Sequence, residues 1–538
     1  KMHIKDLCSK QCCLATAGVL LAATGLIFAT FWLDLFYYML GKEMTLKPNS
    51  RSYEAWKSPP LALSIDIYLF NWTNPQELRV RGAKPVLVQL GPYRFREVKD
   101  KVDIDWHPEN GTVSFKTKSL YYFDAEGSKG SLDDVVTTLN IIALSAATKS
   151  KKWDFVKRKS VSIGLGLYSQ EIHITKSARE LLFEGYSDDM IDVAREMPIF
   201  GEDVEVPFDK FGWFYPRNGS ADLMGHFNMF TGEDDIENIG KMHTWNYKTN
   251  SGAFESYCGM VNGSAGEFFP QNLKKDTPIS LWTPDMCRTL NFDYTETENI
   301  LGIEGYKYSG TSKSVDNGTL YPENKCFCGD ECVRSGVIDI SACRFGSPVF
   351  VSYPHFFNAD PFYRQQVIGL MPSKKRHEFY MILEPTTGIA LEVAARLQIN
   401  VLLEEFPSIA LYSKAPSIFF PVIWFEQKVT INEALASDLK MLLSIPTTGH
   451  ICSGIVFTIG LIMIFWFPVD KLVRRRNSTL KSKKKQTTKD KEAESITKER
   501  KTFRITQAFI KVLEVLVIST TSLRIPSNPV FHCDCIYC

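Results

Sequence analysis

Six cysteines of this 538-residue chain lie within one stretch: Cys258, Cys287, Cys326, Cys328, Cys332 and Cys343. An even thiol cluster pairs as disulfides in an oxidising compartment, or holds a metal in a reducing one. Cys326 and Cys328 are one residue apart, closer than the two-to-four-residue gap of a zinc site. Disulfides are therefore expected, with fifteen pairings open and spacing alone unable to choose among them.

A second group with chemical potential runs from Lys149 to Lys159. It gathers Lys149, Lys151, Lys152, Lys157, Arg158 and Lys159 around Trp153 and Phe155. Such a cluster attracts anions, or else is simply a solvated helix face. The C-terminal run His532, Cys533, Cys535 and Cys538 offers four soft ligands, but no second shell is visible and no metal is assigned. Catalytic signatures are missing: no HExxH follows His377-Glu378, no GxSxG surrounds Ser264, and Gly164-Leu-Gly166 lacks a third glycine and a preceding strand. The reading is a non-enzyme with no cofactor.

The elements that must position these groups begin with two apolar runs. Leu14 to Leu33 carries no charge over 20 residues, which spans about 30 Å as a helix. It continues into Phe36, Tyr37 and Tyr38, an interfacial belt too long for a signal peptide. Thr447 to Val469 carries no acid, Lys or Arg. Lys1, Lys5 and Lys10 precede the first run, and Lys471, Arg474, Arg475 and Arg476 follow the second, so both ends are expected in the cytosol. The resulting plan is a cytosolic N-terminus (1–13), a first span (14–38), an ectodomain (39–446), a second span (447–469) and a basic cytosolic tail (470–538). The apolar stretch Phe503 to Leu523 is interrupted by Lys511 and Glu514 and reads as no third span.

Other features fit that topology. Five glycosylation sequons, Asn71, Asn110, Asn218, Asn262 and Asn317, fall in the outside segment, while Asn477 falls inside. Cys8, Cys12 and Cys13 flank the first span as acylation candidates, with Cys452 a weaker one. A net charge of +1 gives no basis for a nucleic-acid partner.

Within the ectodomain, alternation predicts strands at Leu63 to Phe70, Pro85 to Leu90, His377 to Glu384, and Ile389 to Val393, with a turn at Thr386-Thr387-Gly388 and a further alternation over Arg396 to Val401. Ser417 to Phe425 reads as a strand buried on both faces. Helices are predicted at Asp133 to Ala147 and Ser177 to Phe183, and Thr430 with Glu433 has capping-box spacing. The fold class is α+β with an antiparallel core.

Several stretches together resemble the class B scavenger receptor family, the group of fatty-acid translocase, the high-density-lipoprotein receptor, the type 2 lysosomal integral membrane protein and sensory neuron membrane proteins. They are Phe70-Asn-Trp-Thr-Asn-Pro75, Leu90-Gly-Pro-Tyr-Arg-Phe95, Gly212-Trp-Phe-Tyr-Pro216, Tyr353-Pro-His-Phe356, Glu384-Pro-Thr-Thr-Gly388 and Arg396-Leu-Gln-Ile-Asn-Val401. The resemblance covers most of residues 10 to 470. It implies a large ectodomain with a barrel-like antiparallel core, a helical apex and an internal hydrophobic tunnel. It implies the pairs Cys258–Cys326, Cys287–Cys343 and Cys328–Cys332, and it places Lys149 to Lys159 in the ligand-binding apex. The lysine that vertebrate fatty-acid receptors use falls near Leu167, so fatty-acid specificity is not carried over. The function implied is a cell-surface receptor that binds lipids, lipoproteins or other hydrophobic ligands and passes apolar cargo to the membrane. Homo-oligomers are compatible with it, as is an endosomal or lysosomal membrane location. The rival classes are a two-span ligand-gated channel, which needs a polar pore-lining helix, and an ectoenzyme, which needs turnover by the outside domain.

Overall fold

The computed structural model describes residues 2–59, 61, 63–80, 82–196, 209–328, 332–344 and 346–487. In chain order the longer elements are α1 (Met2–Met44), α2 (Arg51–Lys57), β1 (Leu63–Trp72), β2 (Leu87–His107), β3 (Thr112–Phe123), β4 (Val135–Leu139), α3 (Ile141–Lys149), α4 (Phe155–Leu167), β5 (His173–Ser177) and α5 (Asp189–Glu196). There follow β6 (Phe227–Phe230), β7 (Met242–Trp245), β8 (Ile279–Thr283), β9 (Arg288–Ile300), β10 (Ile303–Ser309), β11 (Val337–Asp339) and β12 (Val349–Ser352). The last are α6 (Pro361–Gln365), α7 (Lys374–His377), β13 (Tyr380–Leu383), β14 (Ala390–Leu403), β15 (Ile418–Thr430) and α8 (Glu433–Thr487).

Period-two alternation builds a sheet of 13 strands, ordered β7-β6-β3-β2-β1-β15-β14-β13-β10-β9-β8, with β12 and β11 beside β14. Its named pairings are antiparallel. Residues 263 and 264 draw the two edges together: Met242 N–H donates to Gly263 O at 2.8 Å, and Trp282 N–H donates to Ser264 O at 2.9 Å. The sheet is thereby nearly closed, which removes most of its exposed edge.

Strand register defines one face. Ile67 of β1 pairs Phe425 of β15, which pairs Leu397 of β14. Val393, Met381, Tyr308 and Tyr294 form a further row across β14, β13, β10 and β9. Ile67, Ile423, Met381 and Tyr308 of this face belong to the main apolar cluster, together with residues of α3 and α4.

Several expectations need correction. Asp133 to Ala147 is not one helix. β4 occupies Val135–Leu139 and pairs β5, and only from Ile141 does the chain turn helical, with the Asn140 side chain accepting from Ala143 N–H. Consecutive β-branched residues (Val135, Val136, Thr137, Thr138) favour a strand when a partner is present. The helix expected at Ser177 to Phe183 is present but starts later, because Ser177 still belongs to β5; it is π-helical over Glu180–Glu184 and ends at Gly185 as expected. The strand predicted to stop at Leu90 runs on to His107, accommodating Pro92 at a register shift opposite Ile67 and Leu69. His377 belongs to α7, and β13 starts at Tyr380. Thr430 does not cap α8; its hydroxyl donates to Glu392, and Asn432 accepts from Leu435 N–H instead.

By internal contacts the chain forms two units, residues 32–447 and residues 1–31 with 448–538. The second unit contains the apolar parts of α1 and α8, whose most apolar windows have mean hydropathies of 2.0 and 2.1. By length and composition both are candidate membrane spans. Within this unit the helices meet at small residues: a Cβ on Gly25 would lie 2.6 Å from Phe457 N, and one on Gly460 would lie 2.4 Å from Ala22 N. Small residues let helix backbones approach in lipid, where packing replaces the hydrophobic drive. The tail cysteines and the Phe503 to Leu523 stretch lie outside the described residues.

Candidate functional site

The predicted cations sit on a helical layer made by α3, a tight turn at Ser150–Lys152, and α4. Asp154 starts α4 by accepting from Lys157 N–H at 3.0 Å. Val161 and Leu165 anchor the helix in the main core. Ala410 N–H donates to Ser162 Oγ at 3.0 Å, tying the helix to the 410–415 segment.

The six cations are not equivalent. Lys151 pairs with Glu404 at 3.0 Å. Burial pulls the Lys149 ammonium below its ordinary range. Arg158 is half-buried, with its Nε shielded and unpartnered. Lys157 and Lys159 are exposed, and Lys159 lies 5.6 Å from the Phe155 ring centre. Lys152 is also exposed.

Between these cations α4 shows apolar side chains, of which the sequence draws attention only to Phe155 and Leu167. Phe155 is 62% exposed, Val156 71%, Ile163 62% and Leu167 76%. Phe155, Lys159, Ile163 and Leu167 follow at four-residue steps, so they share one side of the helix. A helix with two apolar faces, one packed and one open, was detectable as excess hydrophobicity for a surface segment. A cavity of about 210 Å³ lies beside this layer, lined by residues that include Ile172, Ala410, Leu411 and Lys414.

A second feature lies on the sheet. Val393, Ala395, Leu397, Ile399 and Phe425 share the core-facing register, yet each is only half-buried. Tyr121 and Phe123 of β3 are half-buried on the same wall. Around them Phe95, Phe183 and Phe214 form an aromatic group, with ring centres 4.3 to 5.4 Å apart along Phe123–Phe95–Phe183–Phe214. This is an accessible apolar wall, and its residues were not legible one by one.

The cysteines pair as Cys258–Cys326, Cys287–Cys343 and Cys328–Cys332. Asp285, close to Cys287, receives both Arg217 and, at 2.6 Å, Arg344, the neighbour of Cys343. Of the sequons, Asn110, Asn218 and Asn262 are exposed. Asn71 is half-buried and accepts from Thr137 N–H, and the Asn317 amide donates to Val333 O at 2.8 Å. Cys13 and Cys452 are unpaired and exposed. The side chains of Cys8 and Cys12 lie outside the described residues. No metal-binding cluster of His, Cys, Asp or Glu occurs among the described residues.

Comparison with known proteins follows the same outline. The model of the CD36 family matches residues 16–470. The chain is 46% identical to Protein peste of Drosophila melanogaster over 468 residues, 87% of this chain and 83% of that protein. It is 31% identical to Lysosome membrane protein 2 of Rattus norvegicus over 465 residues, covering 85% of this chain and 94% of the relative. Scavenger receptor class B member 1 of Rattus norvegicus shares 29% identity over 449 residues, 83% of this chain and 86% of the relative.

Proposed function

The chain belongs to the CD36 family, and on that footing we propose that it is a scavenger receptor for lipids and lipoproteins, held by two membrane spans in the plasma membrane or the lysosome membrane. The observation that carries this reading is α4, where apolar side chains and cations share one open helix surface. A lipid particle presents anionic headgroups over an apolar interior. Lys152, Lys157 and Lys159 attract the first, and Phe155, Ile163 and Leu167 bury into the second. Burying one large apolar side chain is worth roughly 1.5–3 kcal/mol, so several together outweigh exposed ion pairs of about 0–1 kcal/mol each.

The accessible wall formed by Leu397, Phe425 and their neighbours supports a path for apolar cargo through the sheet domain. Each CH₂ removed from water contributes about 0.8 kcal/mol, so single lipid molecules remain favourably bound along such a wall. The topology proposed with this reading keeps residues 39–446 outside the cytosol and residues 1–13 and 470–538 inside. Acylation is proposed at Cys8, Cys12 and Cys13, and N-glycans at the five outer sequons. A receptor of this kind performs no covalent chemistry on its ligand.

The test is particle binding to cells expressing the full-length chain. Replacing Phe155, Ile163 and Leu167 with serine is expected to weaken binding of phosphatidylserine-containing particles by about 100-fold or more. Replacing Lys157 and Lys159 with glutamate is expected to weaken it less, and in a salt-dependent way. Binding unchanged by both sets at equal surface level contradicts the assignment.

A further inference from the structure

One face of the β2–β3 pair changes character along its length. On β2 the residues of this face are Tyr93, Phe95, Glu97, Lys99 and Lys101, and on β3 they are Phe123, Tyr121, Ser119, Thr117, Phe115 and Val113. Tyr93 and Phe95 belong to the main apolar cluster, whereas Phe115 and Val113 belong to a second, separate cluster with Leu46, Trp56 and Trp282. Leu46 follows shortly after α1, and Trp56 lies in α2. Between the two clusters lies a band of charged and hydroxyl groups.

The band is highly ordered. Ser119 Oγ donates to Glu97 at 2.7 Å, Tyr121 OH donates to the same carboxylate at 3.0 Å, and Gln427 donates to its other oxygen. Lys101 is only 3% exposed through its side chain and contacts Glu267 at 2.5 Å. Lys99 approaches the same Glu267 oxygen at 3.8 Å and keeps 32% exposure. The other Glu267 oxygen is buried without a partner. The Lys101 ammonium lies 4.7 Å from the Phe115 ring centre and 5.8 Å from that of Trp56, at the boundary with the second cluster. Burial pulls the Lys101 ammonium down to about 8, although Glu267 draws it the other way.

Paired charges buried between two apolar clusters are costly to retain, because apolar residues of similar volume often serve stability as well or better. Four ionisable groups in one layer of an otherwise apolar wall therefore call for a role beyond holding the fold. We propose that Glu97, Lys99, Lys101 and Glu267, with Ser119 and Thr117, form a polar gate between the two apolar compartments, and that this gate selects cargo by polarity. Cargo with a hydroxyl or other hydrogen-bonding head exchanges bonds with the band as it passes. Cargo with no polar atom cannot replace the bonds within the band that it must break while crossing, and is slowed. This inference rests on the cargo-path reading above and names what restrains that path.

The experiment uses cells expressing the full-length chain and phosphatidylcholine emulsion particles carrying two probes, a pyrenyl alkane and the matching pyrenyl alkanol. The quantity read is the ratio of their transfer rates to the cell membrane, which is independent of expression level. In the double variant Lys101→Met, Glu267→Leu the alkane-to-alkanol ratio is expected to rise about tenfold, with particle binding unchanged. A ratio within twofold of wild type overturns the gate. Should that variant fail to reach the surface, Thr117→Val with Ser119→Ala removes hydroxyls, including the one that accepts from Lys101 Nζ at 3.4 Å, while both members of the Lys101–Glu267 ion pair remain. It is expected to raise the ratio about threefold, and a flat ratio there also overturns the gate. Wild-type transfer of neither probe above untransfected cells removes the cargo path itself, a different failure from an unchanged ratio.

Discussion

His355 and His377 stack with ring centres 4.4 Å apart and planes 7° apart, both deeply buried. Met371 N–H donates to His355 Nδ1 and Ser373 N–H donates to His377 Nδ1, so each neutral ring carries its proton on Nε2. Burial, with Arg376 adding to it, pulls His355 down to about 4; burial, then His355 and Arg376, pull His377 to about 3. Between these values and the unfolded value of about 6.5 the unfolded chain binds more protons, so stability falls as pH drops. From pH 7 to pH 5 the loss is on the order of 2 kcal/mol per ring. Denaturant titrations of the full-length protein in detergent are expected to show this loss, and His377→Phe to remove about half of it. An equal pH response in wild type and variant refutes the assignment. Asp285 behaves differently: against burial, Arg217 and Arg344 hold it at about 2. Its contribution is complete above the unfolded value of about 4 and is lost only as pH falls toward 2, so it survives lysosomal acidity. Glycan occupancy is a second residue-scale matter. Asn110, Asn218 and Asn262 are expected to be more fully occupied than the half-buried Asn71 and Asn317, as peptide mass spectrometry before and after glycosidase would show. Full occupancy at Asn317 together with an empty Asn110 contradicts this order.

At the scale of elements, what was legible followed local pattern. The alternation of Leu63 to Phe70 marks β1, and Gly388 marks the turn before β14, adopting the positive φ that its position needs. What failed depended on distant partners. Val135 to Leu139 is a strand because His173–Ser177 lies beside it, a pairing across more than thirty residues that no local window contains. The open face of α4 was not legible because nothing local says that Val161 and Leu165 face the core while Phe155, Ile163 and Leu167 stay exposed. Similarly, the band from Glu97 to Lys101 looks like a solvent-facing alternation until the register turns it inward. The membrane helices offer a direct test. Gly25→Leu is expected to force α1 and α8 apart at Phe457, at a cost of about 1–3 kcal/mol. Gly454→Leu is the control, since a Cβ there meets nothing within 4 Å. Thermal unfolding in detergent that ranks the two variants equally is inconsistent with this contact.

At the scale of the molecule, three disulfides fasten the side of the sheet domain that carries Asp285, Arg217 and Arg344. Cys258–Cys326 and Cys287–Cys343 close loops of sequence separation 68 and 56, whereas Cys328–Cys332 spans 4. Loop entropy assigns about 4 kcal/mol to each long bridge and about 2 kcal/mol to the short one. Serine replacement at Cys258 and Cys326 is therefore expected to reduce surface delivery more than replacement at Cys328 and Cys332. The sheet and the helical layer are proposed to make a lipid receptor. That claim is tested most directly by purifying the full-length protein in detergent, extracting it with organic solvent and weighing what comes off by mass spectrometry. The prediction is co-purifying apolar lipid in near-stoichiometric amount, exchangeable for labelled lipid offered in excess, and reduced by substitutions that fill the wall at Leu397. A protein that carries no more lipid than an unrelated two-span control, and takes up none when offered, contradicts it.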